Sequence, residues 1–184
     1  MSSKKSDVED IKKEISEKAS FIFQLKQTYK SHILNWTLYV SVFFTILLFF
    51  SISKFGQQQA FNSRVVDVSK GMFSISVSAL GIILAAVAVT IVLYSRRNLH
   101  KMVFEKEIMA GLLFPYRYVS LLWTIVGLLS FFASLVQFNI ALSLCVFLNC
   151  IYCFLIVYAV TYFLYVISEI VQHVITAAFV EDKD

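Results

Sequence analysis

The chain has 184 residues, 59% of them hydrophobic and only 15% charged, with 18 Phe, 9 Tyr, five Gly and one Pro. So high an apolar share excludes a disordered chain, which is poor in hydrophobic residues and rich in charge. It also excludes a water-soluble globule, because a chain this short has too little interior to hide so much apolar surface. The formal net charge of +4 is too mild to make nucleic acid a direct partner.

Residues 1–32 read as a cytoplasmic amphipathic helix. Ser6 followed by Glu9 is a capping-box pattern, in which each side chain satisfies a backbone donor at the helix start. Val8, Ile11, Ile15, Ile22, Leu25 and Tyr29 then recur at helical spacing, interrupted by Lys18. Glu9–Lys13 and Glu14–Lys18 are i,i+4 pairs in the favourable order. Such a stripe packs on the protein's own loops, lies on the membrane surface, or docks a second copy or a soluble partner. For docking, the candidate residues are Ile11, Ile15, Ile22 and Leu25.

Four runs are long and apolar enough to cross a bilayer as helices: about Ile33–Ile52, Met72–Tyr94, Tyr118–Phe138 and Ile140–Ile167. None holds Asp, Glu, Lys or Arg. A β-barrel shows short alternating segments instead, so the expected fold class is an all-α membrane protein with four transmembrane helices over residues 33–180. A short acidic tail, 181–184, follows.

Lysine and arginine counts orient the spans. Seven lysines precede the first span, five basic residues lie between spans two and three, and Lys183 is in the tail, thirteen in all. The other side has three, Lys54, Arg64 and Lys70, in a loop from Lys54 to Gly71. Both termini are therefore expected in the cytoplasm. No cleavable signal or terminal lipidation pattern is evident. The segment Ser95–Arg117 reads as an interfacial elbow, with Arg96, Arg97 and Lys101 toward lipid headgroups. Pro115 ends this elbow and disfavours helix at Phe114.

Small residues let membrane helices approach closely. Span two carries Ser74, Ser78, Gly81, Ala85 and Ala88 at alternating spacings of four and three, which is one helix face. Span three carries Ser120, Thr124, Gly127, Ser130 and Ser134 nearly on one face. These stripes are expected to pack the two spans together, and a pore-lining serine face is the rival account. Asn149, near the middle of span four, needs a hydrogen-bond partner on another helix or subunit. Cys145, Cys150 and Cys153 share one apolar run and read as packing residues. The last helix continues past the lipid through Glu169, Gln172 and His173. The pair Glu169–His173 is too few ligands for a metal site.

No span has the deep ionisable group that proton pumps, voltage sensors or intramembrane metalloproteases need. No H-E-x-x-H, G-x-S-x-G or P-loop occurs, and no cofactor or catalytic residue is expected. Almost all polar mass is expected on the cytoplasmic side, and that asymmetry favours a non-enzymatic membrane scaffold or sensor subunit that forms a homo-oligomer, contacts membrane lipids and docks a cytosolic protein partner. A homo-oligomeric channel or pore-forming effector is the alternative, and a transporter or holin-like lysis protein follows it. In size, four spans, cytoplasmic termini and the basic N-terminal helix Lys12–Lys30, the chain resembles the four-span membrane subunit of Kiwa-type bacterial anti-phage systems. That resemblance implies a sensor in the bacterial inner membrane that assembles with a cytosolic nucleic-acid-acting protein.

Overall fold

The computed structural model describes residues 20–93, 106–135 and 142–181, which form five helices. They are α1 (Phe21–His32), α2 (Trp36–Phe55), α3 (Gln58–Leu93), α4 (Lys106–Leu135) and α5 (Leu142–Glu181). The chain is all-helical over the described residues, and α2 to α5 are each long and apolar enough to span a membrane. The docking candidates Ile11 and Ile15 and the headgroup candidates Arg96, Arg97 and Lys101 lie outside the described residues.

Local signals explain the breaks. The Asn35 side chain caps α2, accepting from the backbone N–H of Thr37 at 3.2 Å. Gly56 ends α2 with φ of 62°, the left-handed conformation that suits glycine just past a helix. Two residues later, at Gln58, α3 begins.

Two expectations are corrected here. The segment Lys54–Gly71 is not an open loop, because α3 starts at Gln58 and runs unbroken for 36 residues. Its first turns are held by packing: Phe61 lies against the small cluster of Ile52, Val146 and Cys150, and Asn62 accepts from Asn149 Nδ2 at 2.8 Å. Nor does Pro115 end an elbow or keep Phe114 out of helix. It sits buried inside α4, which starts at Lys106. Proline is tolerated within membrane helices where neighbouring helices and local adjustment re-satisfy the freed backbone groups. Pro115 lies between Phe114 and Tyr116, both in close contact with other helices.

The two helices joined by the shortest turn are not close neighbours. α2 pairs with α5, α3 with α4, and α5 closes the bundle by touching both α3 and α4. The main core takes Met72, Ala79 and Ile83 from α3, Val119, Trp123 and Val126 from α4, and Tyr158, Ala159, Tyr162 and Val166 from α5. Hydroxyl–hydroxyl bonds pin the contacts: Ser41 to Thr161 at 3.2 Å, Thr90 to Tyr116 at 2.8 Å and Ser130 to Tyr152 at 2.7 Å.

The α3–α4 pairing was expected, but α3 turns a different face to it. Ser74, Ser78, Gly81, Ala85 and Ala88 are all exposed, whereas Ser69, Met72, Ser76, Ala79, Ile83 and Thr90 are buried. Ser76 is two residues from Ser74, about 200° around a helix, so the buried face lies opposite the small stripe. It too contains small residues, Ser76 and Ala79, and adds bulk at Met72 and Ile83 to fill the core. On α4, Gly127 and Ser130 are buried, whereas Thr124 and Ser134 are exposed. The two helices are tightly packed at Gly127, where a Cβ would lie 3.1 Å from Ser76 Cβ.

Candidate functional site at the N-terminal helix joint

α1 does not rest on the bundle by its apolar stripe. Phe21, Gln24, Thr28 and His32 are spaced three, four and four apart, which is one helix face, and α1 packs against α4. Gln24 and Thr28 are buried, and the Thr28 hydroxyl donates to Gln24 O at 2.7 Å. Arg117 Nη1 donates to Gln24 Oε1 at 3.4 Å. Ile22 is 65% exposed and Tyr29 is also exposed, while Leu25 is half-buried.

Aromatic rings carry this contact into the bundle. Phe21 stacks on Phe114 with centroids 5.8 Å apart, and Phe114 stacks on Tyr118 at 5.7 Å. Tyr118 meets Tyr162 edge-on at 4.9 Å, and its hydroxyl lies 3.2 Å from that of Tyr158. The Tyr158 hydroxyl donates to Ile33 O, just past α1, at 3.4 Å. His32 packs at 5.7 Å from Phe114, with Nδ1 3.5 Å from the Tyr165 hydroxyl. Aromatic pairs at such distances add roughly 0.5–1.5 kcal/mol each beyond the area they bury.

His32 is the titratable group of the joint outside the membrane spans. Burial pushes its pKa below the ordinary 6.5, and the Glu169 carboxylate of α5 partly offsets this. Glu169 thus acts across helices toward His32; the side chain of His173 lies outside the described residues. Among the described residues no group of three or more His, Cys, Asp or Glu is placed to hold a metal ion. Two further buried polar atoms of this region, Gln24 Nε2 and Tyr162 Oη, have no hydrogen-bond partner among the described residues.

The joint itself escaped the sequence reading, although traces of it were present. Tyr158, Tyr162 and Tyr165 stand at i, i+4 and i+7, one face of α5. Gln24, Thr28 and His32 form a polar stripe beside the apolar one. Asn149 was singled out, and its amide joins α5 to Asn62 of α3, with a longer 3.8 Å contact to Cys145 Sγ. Cys145, Cys150 and Cys153 are free thiols, Cys150 being buried.

Fold and composition define the class: the chain is an integral membrane protein of four spanning helices. No family model matches it, and no curated protein or solved structure does.

Proposed function

We propose that this is a non-enzymatic scaffold or sensor subunit of the bacterial inner membrane, homo-oligomeric, with both termini in the cytoplasm. Its N-terminal helix docks a cytosolic protein partner. The observation that supports this reading is the division of faces on α1. The polar face, Gln24, Thr28 and His32, is spent on the bundle, and Ile22 and Phe23 are left outward. Membrane spans already anchor the chain, so an apolar helix face kept free of the bundle fits a protein partner better than added lipid attachment. Amphipathic helices bind partners by laying such a face in a groove. The architectural resemblance to Kiwa-type membrane subunits favours a role in anti-phage defence.

The test uses the full chain and its point variants. Ile22→Asp, and separately Ile11→Asp with Ile15→Asp, should leave insertion and thermal stability intact and abolish co-purification with the partner. Deleting Met1–Glu17 should do the same. If these variants insert, assemble and function like the parent chain, the N-terminal segment through α1 is not the docking element.

A homo-oligomeric channel is the second reading. Ser74 and Ser78 of α3, with Gly81, face away from the chain's own core, as residues shared between copies around an axis would. Conductance of the purified chain in planar bilayers, lost in Ser78→Leu, would favour this reading over the scaffold.

A further inference from the structure

The side of the membrane that carries the α2–α3 turn is poor in charge, and the little it has is mostly positive. Residues 40–71 and 131–149 supply that side and the helix ends leading to it. Their charged residues are Lys54, Arg64, Asp67 and Lys70, and no others occur in those stretches. Asp67 is paired with Lys70 at 2.9 Å. Three cations against one carboxylate leave this side net positive, wherever the individual side chains lie.

Deeper than Lys54, a groove of about 530 Å³ opens between α2 and α5. That volume is within the range of small-molecule sites, roughly 300–1,000 Å³. Its surface is apolar. Buried Cys150 is its floor, and Ile46, Phe50, Phe147 and Ile151, all exposed, are its lips. Thr45 also lines it, but its hydroxyl is spent within α2, donating to Ser41 O at 2.8 Å.

Helix periodicity carries this groove up to the headgroup level. On α2, Ile46, Phe50 and Lys54 are spaced four apart along one stripe, with Lys54 in the last turn. Lys54 stands one turn, about 6 Å, beyond Phe50. On α5, the stripe of Ile151 and Phe147 continues four residues on to Ser143, which is exposed at the start of the helix. Apolar space therefore lies within the spans, and a cation and a hydroxyl stand at its rim. A lysine at a helix end buries its stem and keeps its ammonium at the interface. A second copy, inserted the same way, would bring its own Lys54 to the same depth and set like charges together. A soluble anion would use the rim and leave the apolar space empty. A zwitterionic headgroup would add an ammonium to a side that is already net positive.

We propose that the α2–α5 groove is a site for one anionic phospholipid, an acyl chain against Ile46, Phe50, Phe147 and Ile151 and the phosphate at Lys54, with Ser143 on the facing rim. The site lies at the end of α2 away from the α1 joint. It holds for either orientation of the chain in the membrane and does not depend on the scaffold reading.

The experiment titrates phosphatidylglycerol and phosphatidylcholine onto the delipidated full chain in mild detergent and counts retained lipid by native mass spectrometry. Wild type should retain phosphatidylglycerol at about fivefold lower concentration, the ratio equivalent to the roughly 1 kcal/mol that one basic residue adds near anionic headgroups. Lys54→Gln should bring the two lipids level, and Lys54→Arg should keep most of the preference. Ile46→Trp, made on an exposed lip to spare the core, should fill the groove and remove the retained lipid while leaving thermal stability in lipid-free detergent unchanged. Replacing Arg96, Arg97 and Lys101 together by Gln, in the connector at the other end of the spans, should leave the tightly held lipid in place. Equal retention of both lipids by wild type overturns the proposal. So does a preference that survives Lys54→Gln or Ile46→Trp, and so does displacement by inorganic phosphate at equal concentration, which would mark a soluble-anion site. Dimer formation on lipid removal that Ile46→Trp abolishes also overturns it and would seat a second copy in the groove.

Discussion

Gly127 of α4 packs against Ser76 of α3, its missing side chain making room for that residue. Gly127→Leu should lower the thermal stability of the protein in detergent, by about 1–3 kcal/mol for a side chain forced into a filled contact. Gly81→Leu should leave that stability unchanged, since nothing lies within 4 Å of a Cβ at Gly81; a change in its oligomer profile alone would place copies against this face. His32 sets a pH dependence whose sign follows from its burial. Its pKa in the docked state is below the ordinary 6.5. The undocked or unfolded state therefore binds the proton more readily, and stability is lost as pH falls from about 6.5 toward the lowered value. Melting temperatures at pH 8 and pH 5.5 should diverge in wild type and draw together in His32→Phe. Glu169 faces His32 from α5 and opposes the loss in part. At this scale the sequence showed which residues were unusual. Asn149 stood out because an amide in an apolar run demands a partner. His32, between Ser31 and the apolar run that starts at Ile33, gave no such signal until folding placed Phe114 and Tyr165 around it.

Among the helices, those legible in advance were the ones whose identity rests on apolar length. The four spans follow from runs that lipid admits only as helices. The early turns of α3, where Arg64, Asp67 and Lys70 look like loop chemistry, were hidden because tertiary contacts at Phe61 and Asn62 hold them. The face of α3 that packs was hidden for a different reason. Two opposed stripes both contain small residues, and spacing identifies a face without naming its neighbour. α1 illustrates the same gap: its apolar stripe was visible, yet the polar stripe makes the contact. Replacing Phe21 and Gln24 by Ala should release α1, because the stacked ring and the Arg117 bond are both lost. Limited trypsin digestion in detergent should then cut faster at Lys26, which is exposed, while the melting temperature of the spans falls little. Unchanged cleavage would mean that the rest of the joint suffices to hold α1.

For the whole molecule, the reading of thirteen basic residues against three sets an orientation that labelling can check. Single cysteines at Ser3 and Gln59, placed in a chain lacking Cys145, Cys150 and Cys153, should behave oppositely in intact cells. An impermeant maleimide should reach Gln59, which is exposed at the start of α3, and leave Ser3 unlabelled until the cells are broken. Labelling of Ser3 in intact cells would invert the topology and with it the side on which a partner is sought. α5 carries a mechanical consequence for this arrangement. It has 40 residues, with neither glycine nor proline among them, and its length at 1.5 Å per residue is about 60 Å. Near one end Asn149 ties it to α3; farther along, Tyr158, Tyr162 and Tyr165 meet the α1 joint. A stiff rod of that kind is a lever: tilting it by about 5° displaces Tyr165 relative to Asn149, about 24 Å away along the helix, by about 2 Å. Bilayer thickness changes the preferred tilt of a long helix. Thinning or thickening on one face of the membrane therefore arrives at His32 and Tyr165 on the other as sideways travel, with no hinge between them to absorb it.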